Sequence, residues 1–213
     1  MKIYTFSDLV NDIKHNEISL LVGAGLSVSG GIPLAGEIAE NIAKELCLPD
    51  SSDYYKIIAN LSANKRREIF LNYDLRSEIN SGSLLAATLL GSGKVQSILT
   101  TNFDSLIQRA AALSLTHLRT YDATFSAIRS DLFTPHFPSL VYLHGQAHGF
   151  WQLNTFDEHK EYKKNIEFFL EHSLKKCSGQ VISDSLLGFL DVDSRSKALG
   201  DMLPSFECSL CSL

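Results

Sequence analysis

The sequence feature that most constrains the fold is a short aliphatic run that ends in a glycine-rich turn. Ile18-Ser19-Leu20-Leu21-Val22 passes directly into Gly23-Ala24-Gly25. A run of this length and composition is typical of a β-strand that is buried on both faces of a sheet. Beyond residues 30–33, the spacing of Ile38 and Ile42 predicts an amphipathic helix. Strand, glycine turn and helix in this order are typical of the opening of an α/β nucleotide-binding fold.

Two further predicted strands also end in polar or glycine-containing turns. Val95-Gln96-Ser97-Ile98-Leu99 runs into Thr100-Thr101-Asn102-Phe103-Asp104, and Leu140-Val141-Tyr142-Leu143 runs into His144-Gly145. Open parallel sheets bind ligands outside the carboxyl ends of their strands, where the strand order reverses. If the three strands are parallel neighbours, their turns meet at one crevice, and we expect the functional site there.

The remaining pattern predicts mostly helices. The further predicted elements are helices over about 53–92, 105–113 with Asp104 as N-cap, and 160–176, and short strands over 116–121 and 185–189. The predicted fold class is therefore α/β: a Rossmann-like, mostly parallel sheet flanked by helices, with a small helical insertion over about 53–92. We expect one domain over residues 1–193 and an irregular tail over 194–213, where periodicity is lost.

Composition argues against several classes of protein. The 213 residues are 45% hydrophobic and 20% charged, with a formal net charge of -5, which favours a folded domain over a disordered chain. No apolar run approaches the ~20 residues of a membrane-spanning helix, and the N-terminus lacks the apolar stretch of a signal peptide. Mild acidity argues against direct nucleic-acid binding, because phosphate contacts need clustered Lys and Arg.

The cysteines favour a reducing compartment. The four cysteines are too few and too unevenly placed for a disulfide framework, which predicts a cytoplasmic protein. Cys208 and Cys211 form a C-x-x-C pair, but no second pair completes a zinc site, so we assign them to the irregular tail and predict no metal.

The loop after the first strand resembles the cofactor loop of the sirtuin family. That loop carries Gly-Ala-Gly-x-Ser followed by Gly-Ile-Pro, and residues 23–27 and 31–33 match both parts. The dinucleotide fingerprint G-x-G-x-x-G does not fit, because Val28 stands where its third glycine would be.

Further sirtuin-like motifs follow in the family's order. Residues 100–104 look like the segment Thr-Gln-Asn-x-Asp, and His144-Gly145 looks like the catalytic histidine-glycine. Residues 187–193 are more loosely similar to a later glycine-plus-acid turn. The resemblance covers residues 18–193, most of the chain.

The departures from the family narrow the implied function. Leu34-Ala35-Gly36 stands where the deacylases carry Asp-Phe-Arg, and no cysteine between Cys47 and Cys177 supplies their structural zinc site. With these departures, the chain's motifs are similar to those of the zinc-free, prokaryotic sirtuin-like domains that consume NAD in anti-phage defence. The resemblance implies an NAD glycohydrolase that releases nicotinamide and ADP-ribose, with a second copy or a separate sensor or effector protein as its partner.

The resemblance also implies the roles of individual residues. Asn102 would hold the water or the ribose beside the scissile N-glycosidic bond, although asparagine also often caps turns. His144 would act as general base, since an imidazole ordinarily titrates near about pH 6.5. The implied NAD-binding residues lie on the same turns: Gly23, Ala24, Gly25, Ser27, Gly31, Ile32, Pro33, Thr101, Asp104 and Gly188.

Other functions stay open at this point. One is an NAD-dependent protein deacylase. Another is a non-catalytic module that binds NAD or ADP-ribose. The sequence ends soon after the last motif, and a domain that lacks part of the site could bind the nucleotide without cleaving it. Ser27, Asp104 and His144 follow the order of an α/β-hydrolase triad, but its G-x-S-x-G elbow would need glycine in place of Ser29. A metal site at His144 and His148 is disfavoured by the glycines beside them.

Overall fold

The described residues fold around a five-stranded parallel sheet. The computed structural model describes residues 18–47, 54–124 and 138–149, the single residues 158, 160, 162 and 163, and residues 165–167 and 181–183. The strands are β1 (Ile18–Val22), β2 (Val95–Thr100), β3 (Arg119–Asp122), β4 (Ser139–Tyr142) and β5 (Val181–Ser183). Their order is β3-β4-β2-β1-β5, and every neighbouring pair is parallel. The predicted α/β, Rossmann-like fold class is confirmed.

Six helices with complete bounds accompany the sheet within the described residues. They are α1 (Gly25–Val28), α2 (Ala35–Glu45), α3 (Tyr54–Ala59), α4 (Ala63–Arg76), α5 (Ser81–Gly91) and α6 (Leu106–Leu113). The stretch predicted as helical over about 53–92 thus forms α3, α4 and α5. Among all the residues that the structure describes, no helix is both long enough and apolar enough to cross a bilayer.

Local side-chain hydrogen bonds define where several helices begin. The Asn80 carboxamide oxygen accepts from the backbone N–H of Ser83 at 2.8 Å, and the Ser83 hydroxyl oxygen accepts from the Asn80 N–H at 3.1 Å. This reciprocal capping box starts α5. The hydroxyl oxygen of Ser62 similarly accepts from Lys65 N at 3.3 Å at the start of α4.

Apolar packing covers both faces of the sheet. On one face, Leu90 of α5 and Ile107 of α6 pack with Ile98 of β2 in a buried cluster. On the other face, a cluster that includes Val141 of β4 contacts Ile166, which lies in a helical segment. Helices on both faces explain why the central strands are apolar runs without alternation.

A separate apolar cluster joins the helices beside the sheet. Ile42 of α2, Ile58 of α3 and Phe70 of α4 are all buried in it, and Phe103 packs against its edge. The rings of Phe70 and Phe103 lie 4.7 Å apart. Because Phe103 belongs to the turn after β2, this cluster connects α4 directly to the predicted site.

Four of the predictions from the sequence differ from the structure or lie outside the residues that it describes. Helix α6 begins at Leu106 with Ser105 at the N-cap position, one residue later than predicted, but the capping bond is made by Asp104, whose Oδ1 accepts from Leu106 N at 3.1 Å. The described residues between 158 and 167 are helical, as expected, while the rest of the predicted helix over 160–176 lies outside the described residues. So do the predicted strand over 185–189 and the tail over 194–213.

Candidate functional site

The three polar turns begin at the same level of the sheet. Val22 of β1 is in register with Thr100 of β2, which is in register with Tyr142 of β4. Just beyond the strands, Thr101 N donates to Val22 O at 3.2 Å and Leu143 N donates to Thr100 O at 2.8 Å. The turns therefore leave the sheet side by side, with the one after β2 in the middle, as the sequence predicts for parallel neighbours.

Two glycines shape the loop after β1 for different reasons. A Cβ at Gly30 would lie 2.6 Å from Glu78 O and 2.8 Å from the Leu106 Cδ1, so only glycine fits this close approach. Gly31 has a φ of 89°, a left-handed conformation that side chains disfavour, and a Cβ there would meet nothing within 4 Å. The loop is thus packed tightly on its inner side and open at Gly31.

The start of the loop presents backbone donors. Within the described residues, no backbone acceptor contacts the N–H groups of Ala24 and Gly25, and no side chain caps α1. Gly25 is exposed and Ala24 is half-buried. These N–H groups can therefore donate to a polar ligand at the carboxyl ends of the strands.

A chain of buried hydrogen bonds joins the loop to the turn after β2. Asn102 Nδ2 donates to Ser27 Oγ at 2.8 Å, and Ser27 Oγ donates to Asp104 Oδ2 at 2.6 Å. The three residues are only 7%, 1% and 5% exposed, respectively. Because each buried group supplies the next with a partner, the network fixes the loop and the turn relative to each other.

The orientation of the Asn102 carboxamide is defined by its partners. Nδ2 also donates to Gly23 O at 2.9 Å, and a carbonyl oxygen can only accept. Both Nδ2 hydrogens are therefore used inside the protein. Among the described residues no hydrogen bond reaches Oδ1, so this oxygen is the acceptor that Asn102 can offer to a ligand or a water molecule.

The Asp104 carboxyl is held in an environment that disfavours its charge. Burial raises its pKa, and the nearby Asp74 carboxylate acts in the same direction. Hydrogen bonds from the Ser27 hydroxyl and from Leu106 N, at 3.1 Å from Oδ1, partly offset this effect. The backbone oxygen of Asp104 accepts from the Tyr142 hydroxyl at 2.7 Å, which connects the turn to β4.

His144 lies on the third turn, on the other side of Asn102 from the glycine loop. It follows β4 by two residues, is half-buried and precedes a glycine with a φ of 82°. Three residues on, Ala147 N donates to Phe103 O at 2.7 Å, so this segment folds back onto the turn that carries Asn102.

The structure also brings a residue to the site that the sequence analysis missed. Asp74 of α4 is 1% exposed, and its Oδ1 accepts from Ser105 N at 2.7 Å and from Ser105 Oγ at 3.0 Å. Its Oδ2 lies 2.8 Å from His148 Nε2, an ion-pair distance. A single acid in a charged helix gives no sequence signal of this burial.

The other predicted binding residues have different surroundings. Ile32 is 4% exposed and its N–H donates to Ser27 O at 3.3 Å, so its side chain belongs to the core. Pro33 and Thr101 are half-buried. Gly188 lies outside the described residues, and so does the rest of the later glycine-plus-acid motif.

The contacts argue against the serine-hydrolase alternative. In a serine hydrolase the nucleophile donates its proton to histidine, whereas the Ser27 hydroxyl donates to Asp104. His148 lies against Asp74, and the described residues contain no group of three or more His, Cys, Asp and Glu that could hold a metal ion, while the absence of a metal stays a prediction.

Comparisons with protein-family models and with curated proteins find no match. The sirtuin-like interpretation therefore depends on the motifs and on the geometry of the three turns.

Proposed function

We propose that the chain is a sirtuin-like NAD glycohydrolase, which cleaves NAD with water to nicotinamide and ADP-ribose. The observation that carries the proposal is the buried link from the glycine loop through Ser27 to Asn102 and Asp104, on the same edge of the sheet as His144. This arrangement supplies a rigid loop for a dinucleotide and a fixed polar group beside it.

The glycine loop supports binding of the diphosphate part of NAD. Glycine lets a backbone approach a pyrophosphate closely, and the N–H groups of Ala24 and Gly25 can donate to its oxygens. Gly31 leaves open space, since a Cβ there would meet no atom within 4 Å. The binding energy of the diphosphate would orient the ribose toward the turns after β2 and β4.

Asn102 and His144 would act on the nicotinamide riboside. The N-glycosidic bond breaks with its electron pair moving to the pyridinium nitrogen, so nicotinamide leaves neutral and needs no acid. Asn102 Oδ1 accepts a hydrogen bond from the water or from a ribose hydroxyl, and the water oxygen bonds to C1′ of the oxocarbenium-like ribose. His144 accepts the proton that the water loses.

A direct test incubates the purified chain with NAD and quantifies nicotinamide and ADP-ribose. Asn102→Ala and His144→Ala should each reduce release at least about 100-fold, because each removes a group that acts at the reacting bond. Two variants are matched controls. Asn72→Ala is on the exposed face of α4, and His117→Ala changes an exposed residue just before β3, at the end of the sheet where the parallel strands begin. Full turnover in both site variants would contradict the assignment, and peptide deacylation would select the deacylase.

The buried network favours a binding module as the second candidate. Ser27, Asn102 and Asp104 bond to one another, so they would shape the crevice even without chemistry. Binding of NAD without release of nicotinamide would select this function.

The resemblance also motivates a cellular role. We propose that NAD cleavage in the cytoplasm acts in anti-phage defence, together with a second copy or a separate sensor protein. Cells that express the wild-type chain should lose NAD after infection, whereas cells with Asn102→Ala should retain it. Equal NAD levels in both strains would contradict this role.

A further inference from the structure

One buried carboxylate contacts both of the turns to which catalysis is assigned. Asp74 Oδ1 accepts two hydrogen bonds from Ser105, directly after the turn that carries Asn102 and Asp104. Asp74 Oδ2 lies 2.8 Å from His148 Nε2, on the segment that carries His144. Asp74 itself belongs to α4, outside both turns. It is therefore placed to set the distance between them.

The group that faces Asp74 Oδ2 is the imidazole of His148, which is a counterion only in its protonated form. A buried carboxylate is costly unless a cation or several donors compensate its charge. Arg109, another nearby cation, donates instead to the carbonyl oxygen and the hydroxyl of Ser77, at 3.0 and 3.1 Å. No hydrogen bond within the described residues reaches Asp74 Oδ2, and His148 Nε2, 2.8 Å away, is placed to compensate this oxygen when the imidazole is protonated.

The partners differ strongly in burial. The Asp74 side chain is 1% exposed, whereas the His148 side chain is 51% exposed. The bond from Ala147 N to Phe103 O and a long 3.3 Å bond from Gln146 to Asp122 also anchor the segment from His144 to Gly149. Replacing His148 would therefore weaken the attachment of this segment without creating a cavity in the core.

We propose that Asp74 and His148 are positioning residues that hold His144 in register with Asn102. The inference rests on the proposed function for its catalytic consequence, but the geometric part stands by itself. The pair acts through the backbone of its two turns and touches no substrate. Removing it should lower the rate of NAD cleavage more than the affinity for NAD, because misplacement of a reacting group by about 1 Å can cost ~100-fold in rate.

The kinetic test compares Asp74→Asn, His148→Gln and the double variant. Each single change should lower kcat about 10-fold to 100-fold with KM within about 2-fold, and the double variant should be no slower than the worse single variant. Glu68→Gln, exposed on the same helix as Asp74, and His117→Gln should leave both constants unchanged. Unchanged kcat in His148→Gln, or multiplicative losses in the double variant, would overturn the inference.

Hydrogen exchange tests the geometry without NAD. Exchange of the backbone amides over residues 143–149 should become at least about 10-fold faster in His148→Gln than in the wild type, since a local contact that restrains opening is lost. The amides of β1 and β2 should keep their rates. Wild-type exchange over 143–149 would overturn the inference even if NAD is never cleaved, and a wild-type chain without turnover would instead contradict the proposed function.

Discussion

The two sides of the candidate crevice are held in place by different kinds of contact. We define the inner wall as the glycine loop over 23–31 with the turn Asn102–Asp104, and the outer wall as the segment His144–Gly149. Buried side chains with short mutual hydrogen bonds hold the inner wall, where Ser27, Asn102 and Asp104 are at most 7% exposed. The contacts described for the outer wall are those of His148, whose side chain is 51% exposed, a long bond from Gln146 to Asp122 and backbone contacts.

This difference separates stability from catalysis in the two walls. A change in the inner wall leaves buried polar groups without partners or creates a clash, so it should reduce the free energy of unfolding together with any activity. A change at His148 in the outer wall affects an exposed side chain, so it should alter the rate while the fold is kept.

The largest effect on stability is expected for Gly30→Ala in the inner wall. The added Cβ would lie 2.6 Å from the backbone oxygen of Glu78, which cannot move as a flexible side chain would. We expect a loss of about 3 kcal/mol in the free energy of unfolding, measured by urea denaturation.

Gly36→Ala provides the matched control for Gly30→Ala. Gly36 lies in α2, and a Cβ there would meet nothing within 4 Å. Alanine should therefore stabilise the helix, by up to about 1 kcal/mol. Equal effects of the two substitutions would contradict the close packing of the loop.

Ser27→Ala should have the next largest effect. It removes the partner of Asp104 Oδ2 and one of the two acceptors of Asn102 Nδ2. Leaving buried polar groups unpaired should reduce the free energy of unfolding by about 2 kcal/mol. Ser29→Ala, at an exposed position two residues along the same loop, should change it by less than about 0.5 kcal/mol. If the two serine variants unfold at the same urea concentration, the inner wall is not held as described.

The smallest expected effect is a pH dependence from Asp104. Burial raises its folded-state pKa above the unfolded value, which is ordinarily near about 3.9. The folded state then binds the proton more tightly, so this group lowers the free energy of unfolding as the pH rises from the unfolded pKa through the raised one.

Asp104→Asn cannot ionise and should remove this part of the slope. Urea denaturation between about pH 4 and pH 7 measures it. Glu40→Gln, at an exposed position on α2, should leave the slope as in the wild type. A wild-type stability that rises over this range relative to Asp104→Asn would show the opposite sign and contradict the environment assigned to Asp104.

Much of the fold is predictable because the central strands carry an unambiguous pattern. Strands β1, β2 and β4 are aliphatic runs, and each ends in small or polar residues that cannot continue a buried strand. The stretch over 53–92 is predictable as helical, but the bounds of its three helices and the capping box of Asn80 come from the structure. Helix α1 was not predicted, because four residues are too few to show a helical period.

The candidate site is only partly predictable. Asn102, Asp104 and Ser27 could be identified because they follow strand ends, but their mutual bonds depend on the register between β1 and β2. Asp74 could not be identified, since its burial results from the packing of α4 beside Phe103 and Ser105, which lie about 30 positions away in sequence. Long-range packing of this kind leaves no local pattern.

The central claim is that a single crevice between the two walls receives the nicotinamide riboside part of NAD. Titration of the isotope-labelled chain with NAD, followed by the NMR signals of the Asn102 side-chain amide and the His144 ring, tests it directly. We predict that both signals shift with one common saturation curve. The ring signal of His117, at the end of the sheet where the parallel strands begin, should stay unchanged. Saturable binding that leaves both site signals in place, or no binding at millimolar NAD, would contradict the account.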